Sequence, residues 1–362
     1  MNKKLPIYRF PIMLLAVITL ITAAWAGLIR LGWQWPALRP TLPMSHGPLM
    51  VAGFFGTLIA LERAVALGKA WAYVGPIFNG LGGVLLAFGI PGVVAPIFIT
   101  LGSVWLIVIV GVVFNKHRTG YLFVMALGAI TLLIGNLLWL SGWQVYQFVL
   151  WWASFLILTI AGERLELGRM VKKPAYAQSL FFGITLIYLV GLVMMLFSWD
   201  LGIRIAGIGI AGLAFWLLGF DIARRTIQQN GLTRFIAICL LSGYVWLIAA
   251  GGIALVYGGY PAGPIYDAML HSIFLGFVFS MIFGHAPIIF PAVLGVDIDY
   301  KPKLYLPLVL LHVSLILRTA GEISGLSWAR LWGGLVNVVA IMLYLAILAQ
   351  NNKRTPNLSR TK

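Results

Sequence analysis

Charge is what this chain has least of. Of 362 residues only 9% are Asp, Glu, Lys or Arg, against about 25% in a soluble globular protein. Acid is scarcest: nine Asp and Glu stand against 25 Lys and Arg, for a net charge of +16. With 61% hydrophobic residues and a mean hydropathy of +1.00, the chain has too little polar surface to face water on all sides, so it needs lipid. The positive charge does not point to nucleic acid. The basic residues sit in short loops between apolar runs, where they orient a membrane protein. A single cysteine, Cys239, excludes an intramolecular disulfide and any CxxC metal motif. There is no Walker phosphate loop, no dinucleotide glycine fingerprint and no HExxH zinc helix.

What the chain has in abundance is apolar runs of spanning length, and backbone crosses lipid only as helix or closed barrel. Twelve helices are expected, at 10–31, 46–67, 71–89, 93–114, 121–140, 146–162, 179–197, 201–220, 235–257, 265–290, 304–319 and 328–348. The fold class is therefore an all-α membrane protein: one polytopic domain over 1–350 and a polar tail over 351–362. Lys3, Lys4 and Arg9 before the first run, with Ala24-Trp25-Ala26 near its end, resemble a secretory signal. The run is long for a signal and right for a span, so a retained helix is expected.

Numbering the spans with the N-terminus inside puts twenty of the 25 basic residues on the inner side. Only Arg30, Arg39, Arg204, Arg318 and Arg330 fall outside. This positive-inside asymmetry predicts a cytoplasmic membrane protein with both termini and the tail in the cytoplasm. Trp33, Trp35, Trp143, Tyr257 and Tyr260 mark the outer connections, as an interfacial belt should.

Three helices share a pattern. The second carries Gly53-Phe54, the sixth Ser154-Phe155 and the tenth Gly276-Phe277, each with a polar residue eight positions after the Phe: Glu62, Glu163 and His285. The second and sixth also share Glu-Arg followed by Leu-Gly. The three run in the same direction, four helices apart, which predicts three four-helix pseudo-repeats rather than the two six-helix halves of a major-facilitator carrier.

Of five histidines, His117 stands between Lys116 and Arg118 in a loop and is ordinary. The others lie in or at the ends of spans, where an ionisable residue is a functional candidate by default. His46 and His271 enter the second and tenth helices at a similar shallow depth, where two imidazoles can ligate one haem iron from opposite faces or simply anchor helix ends. Arg30, Arg39 or Arg330 could pair with haem propionates. Asp267, one turn before His271, is positioned as its second hydrogen-bonding partner or as a helix cap. His285 and His312 are equidistant from the turn between the tenth and eleventh helices, so they form a second, weaker metal candidate, a proton relay or a structural hydrogen bond. Glu62-Arg63 and Glu163-Arg164 read as ion pairs between repeats, since neighbours in sequence do not face each other on a helix.

The segment His271-Ser-Ile-Phe-Leu-Gly276 followed by Ser280-Met-Ile-Phe-Gly-His285, and the segment His46-Gly-Pro-Leu-Met50 before Gly53-Phe54, resemble the histidine helices of the NnrS family. That resemblance implies a twelve-helix bacterial membrane protein with haem and copper, linked to nitric oxide metabolism and nitrosative stress. It also implies the three-arc plan of the haem-copper oxidase catalytic subunit, in which histidines on helices two and ten hold a low-spin haem. Here His46 and His271 match those places. The chain departs from the oxidases in having no histidine on helices six or seven and none beside His271, so a complete oxidase copper centre is not expected. It departs from NnrS in lacking a doubled histidine on the early helix, and in having His285-Ala-Pro in place of a more polar run. The expectation is one haem b at His46 and His271, possible copper, and contact with the lipid bilayer and a redox partner or small gas ligand. A cofactor-free transporter and an accessory protein for assembling another membrane complex remain as alternatives.

Overall fold

The structure is a computed structural model that describes residues 7–350 and 352–353; Lys3, Lys4 and most of the tail over 351–362 lie outside the described residues. Among the described residues twelve helices are long and apolar enough to cross a membrane. They are α1 (Ile7–Leu31), α2 (Leu42–Leu67), α3 (Ala70–Phe88), α4 (Val94–Lys116), α5 (Gly120–Leu140), α6 (Val145–Leu167), α7 (Tyr176–Met194), α8 (Trp199–Phe220), α9 (Gly231–Tyr257), α10 (Pro264–Leu294), α11 (Pro302–Ser324) and α12 (Ser327–Gln350). The all-helical, multi-pass architecture follows from the composition as expected.

Two helices outrun their apolar stretches. Helix α6 continues to Leu167 and α11 to Ser324, past the points where charge ends the apolar run. In both, the charged residues that looked like a terminus are buried and paired: Arg164 with Asp221, and Arg318 with Glu322. Helix α10 is likewise longer, ending at Leu294 on Gly295, whose left-handed φ of +69° stops it; α2 ends in the same way on Gly68, at +66°.

Consecutive helices pack closely on one another except at α6–α7, where α6 meets α8 instead, and α1 meets α12 to complete the bundle. Inside it stand α2, α6 and α10, each in contact with the other two. Their most apolar eighteen residues are 67, 83 and 72% buried, against 33–56% for the other nine spans. This places the three helices that share the Phe-plus-eight pattern together at the centre of the bundle. One end of the bundle carries the basic loops, from Lys69 to Lys303. The other carries Trp33, Trp35 and Trp143 and the starts of α2, α6 and α10. A short antiparallel pairing of Asp297–Ile298 with Asn352–Lys353 ties the α10–α11 connection to the chain after α12 at the basic end.

Candidate functional site

Two central helices are not regular. In α2 the segment Leu49–Phe55, and in α10 the segment Ser272–Phe279, take a π-helical path. One begins three residues after His46 and the other directly after His271, and each contains the repeat phenylalanine. π-turns within α-helices are rare and concentrate at functional sites, because the extra residue re-aims the side chains before it. Helix α6 occupies the equivalent place without a π-turn and without histidine; there Phe148 and Trp152 are fully buried and the Trp152 indole N–H donates to Asn136 Oδ1 at 2.9 Å.

The two imidazoles meet at the tryptophan end. Their ring centroids are 6.2 Å apart and their planes differ by 18°. His46 Nδ1–H donates to the Ala23 carbonyl of α1 at 2.8 Å, and His271 Nδ1–H to the Asp267 carbonyl at 2.9 Å. A carbonyl can only accept, so each Nδ1 bears a proton, and Nε2 is the nitrogen that a neutral ring offers to a ligand. Gly27 of α1 lies against the His46 ring: a Cβ there would stand 2.7 Å from Cε1 and Nδ1. Only glycine at that position lets α1 press on the imidazole and offer it the Ala23 carbonyl.

The Asp267 carboxylate also approaches His271, with Oδ1 3.2 Å from Nδ1. Its other oxygen is held by Arg318, Nη2 at 2.5 Å and Nε at 3.1 Å, while Arg318 Nε also reaches Glu322 Oε1 at 3.0 Å. Neither Arg318 nor Glu322 stands out as a site residue in the sequence. The signal was there, an Arg and a Glu one turn apart inside an apolar run, but Arg318 counts as an ordinary outer cation in the charge asymmetry.

The family described as "Domain of unknown function (DUF8744)" matches residues 9–353. The chain belongs to this family. No curated protein and no solved structure matches it. The family match spans all twelve helices, so the imidazole pair and the basic end described next both lie within it.

At the basic end the three repeat positions converge. Glu62, Glu163 and His285 line one cavity of about 70 Å³ between α2, α6 and α10, walled by Phe55, Leu156, Met281 and other apolar side chains. Arg63 bonds to Glu163 across the α2–α6 boundary and reaches back to Glu62 at 3.4 Å. The inter-repeat pair is as expected; the contact between sequence neighbours is made by the long guanidinium stem folding back. Arg164 binds Asp221 of the α8–α9 connection through Nε at 2.7 Å and Nη2 at 2.9 Å, both side chains buried.

His285 and His312 have different partners. His285 Nδ1–H donates to the Met281 carbonyl at 2.7 Å and the ring borders the cavity. His312 Nδ1 accepts from the Trp246 indole N–H at 3.0 Å, and its Nε2 is buried without a partner. No hydrogen bond joins the two rings. Among the described residues no three His, Cys, Asp or Glu side chains are placed to hold a metal ion. Of the arginines expected near propionates, Arg39 spends its donors on Thr41, Ser45, Leu86 and Ala87, and Arg330 donates to the Leu31 carbonyl.

Proposed function

We propose that this multi-pass membrane protein binds one b-type haem between His46 and His271, and that it works in electron transfer, as a relative of the NnrS and haem-copper-oxidase type. The observation that carries the reading is the imidazole pair. An iron–nitrogen bond of about 2.0–2.1 Å on each side, plus about 1.1 Å from each Nε2 to its ring centre, sets two coaxial axial imidazoles roughly 6.3 Å apart between centroids. The rings here stand at 6.2 Å, near parallel. The tautomer fits as well, since both Nδ1 atoms are committed to carbonyls and both Nε2 atoms remain as ligands.

Haem bound in this way supplies one-electron redox chemistry at its iron. The chain's own residues do the rest. Ala23 and Asp267 fix the ring orientations through their carbonyls. Arg30, exposed beside the pair, is the arginine left to meet a propionate. His46 and His271 would together hold such a haem, which would then serve one-electron transfer. A role in nitrosative stress then runs through electron supply. The charge asymmetry supports a cytoplasmic membrane orientation with both termini inside; reporter fusions after Lys69, after Arg118 and at the C-terminus should all read cytoplasm.

The test is the optical spectrum of the full-length protein purified from haem-replete cells. A Soret band with low-spin features, lost in His46→Ala and in His271→Ala and kept in His117→Ala, is expected. A colourless wild type defeats the reading. The cavity between Glu62, Glu163 and His285 would then support the transporter alternative, since ionisable groups facing a cavity inside a bundle are what a substrate path requires.

A further inference from the structure

At the basic end three polar residues of the central helices stand at one level. Glu62, Glu163 and His285 each follow the repeat phenylalanine by eight residues, and all three line the cavity of about 70 Å³. Seven residues before them, about 10 Å at 1.5 Å per residue, the same helices give it Phe55, Leu156 and Val278. The cavity thus has a polar ring at one level and an apolar wall beyond it. Among the described residues no such trio is placed to hold one metal ion, so a ligand that meets this ring has to span the space between its members.

The charge of the ring is one-sided. Arg63 is a single guanidinium for two carboxylates: it bonds to Glu163 and reaches Glu62 only at 3.4 Å. The nearby cations are committed elsewhere, Arg164 to Asp221 and Arg9 to the Ala292 and Val293 carbonyls. One negative charge is left over, centred on Glu62. His285 gives its Nδ1–H to the Met281 carbonyl, so a neutral ring offers Nε2 as an acceptor. Thr159, another lining residue, is 6% exposed and makes no bond back to its own helix, unlike Thr57, Thr185 and Thr319. Beside its hydroxyl stands Gly128 of α5, which has no side chain to offer. The ring therefore has spare acceptors and a spare negative charge, next to an apolar wall.

We infer that this cavity binds a small organic ammonium ion, with its N–H groups on Glu62 and His285 and its alkyl part against Phe55, Leu156 and Val278. A cation supplies the missing charge, and its N–H donors supply the missing hydrogen bonds. A hydrated inorganic ion would leave the apolar wall facing water, whereas an alkylammonium buries carbon against it. Volume sets the size. One water needs about 10–15 Å³ of such space, so a cavity of about 70 Å³ takes about five to seven non-hydrogen atoms, the size of a short-chain amine. The side chains of Glu62 and Glu163 are 27 and 26% exposed, which leaves a way in from the basic end. This site is independent of the haem reading above.

The probe is n-butylammonium, which is charged at neutral pH as lysine is. The readout is saturation-transfer NMR on the full-length protein in detergent, with empty micelles as the blank. Saturable binding to the wild type is expected, about tenfold or more weaker in Glu62→Gln. The neutral analogue n-butanol, of the same shape, is expected to bind the wild type more weakly by a similar factor. Ala286→Leu fills the cavity and keeps every charge; it is expected to lose binding as well, and it decides the matter should Glu62→Gln fold poorly. No saturable signal above the blank overturns the proposal. So does n-butanol binding as tightly as the amine, which would make the cavity a site for apolar molecules of either charge state. Binding that survives both substitutions also overturns it, because the amine would then sit elsewhere.

Discussion

The two ends of the bundle handle charge in opposite ways. At the basic end, Arg164 and Asp221 meet through two hydrogen bonds, and Asp221 Oδ1 also accepts from the Ala223 N–H at 2.6 Å. Arg63 likewise ties Glu163 to α2. These groups satisfy one another. At the tryptophan end the polar groups leave valences open: the two histidine Nε2 atoms and Glu322 Oε2. Burial of a charge is costly wherever it occurs. Closed pairs offset that cost locally and hold the scaffold. Open ones are where a ligand or a proton can enter. The contrast separates the paired Arg63, Glu163, Arg164 and Asp221 from the histidine pair.

Breaking the open end should give the largest and most selective effect. His46→Ala or His271→Ala is expected to abolish the haem absorbance completely, with the helical content and yield of the protein unchanged. Circular dichroism and the Soret band measured on the same sample make the check. Loss of absorbance in His285→Ala to the same degree would mean that the cavity end, not the tryptophan end, holds the cofactor.

Breaking the closed end should reverse the pattern. Asp221→Ala strands Arg164, whose side chain is only 4% exposed, and removing one partner of such a buried pair costs about 3–5 kcal/mol. Thermal unfolding in detergent should register that as a large drop in midpoint. The fraction that stays folded should keep its haem spectrum. If Asp221→Ala instead removed the haem while stability held, the division into scaffold and site would be wrong.

Twelve helices were legible because lipid forces long apolar runs, and the Phe54, Phe155 and Phe277 pattern marked the second, sixth and tenth, which the structure packs against one another. His46, His271 and Asp267 were legible as ionisable residues in spans, and the structure brings all three together. The π-turns were not. A π-turn needs no signature residue, only neighbours that favour one extra residue per turn, and Leu49–Phe55 reads as ordinary membrane helix. Arg318, Glu322 and Asp221 were obscured by a different effect. Apolar-run counting treats a charge as the edge of a span, whereas a paired charge can lie inside one. The symmetric placing of His285 and His312 about a turn bears on their depth alone; their hydrogen-bond partners, the Met281 carbonyl and the Trp246 indole, depend on which way each side chain faces and were not legible.

A smaller effect should come from the scaffold that aims the open end. Gly27→Ala puts a methyl against the His46 ring. The ring must rotate or α1 must withdraw, and overpacking of this kind costs about 1–3 kcal/mol. The haem should remain, with weaker retention during dialysis and shifted low-spin bands as the Ala23 hydrogen bond is disturbed. A spectrum identical to wild type would show that α1 does not position the ligand.

The smallest effect is expected at Glu62. Its side chain is 27% exposed, and it meets Arg63 only at 3.4 Å, while Glu163 is the closer partner of that arginine. A partly exposed pair of this kind is worth about 0–1 kcal/mol. Glu62→Gln should therefore leave both the unfolding midpoint and the haem spectrum near wild type. Its value lies in separating the electron-transfer and transport readings. If the cavity is only the place where three repeats meet, neutralising Glu62 changes nothing that depends on the haem, and Glu163→Gln costs somewhat more stability because it frees Arg63. If the cavity is a working path, Glu62→Gln should impair transport of a small cation into protein-loaded vesicles without touching stability. A phenotype of that kind in a colourless protein would reassign the site from the imidazole pair to the basic end.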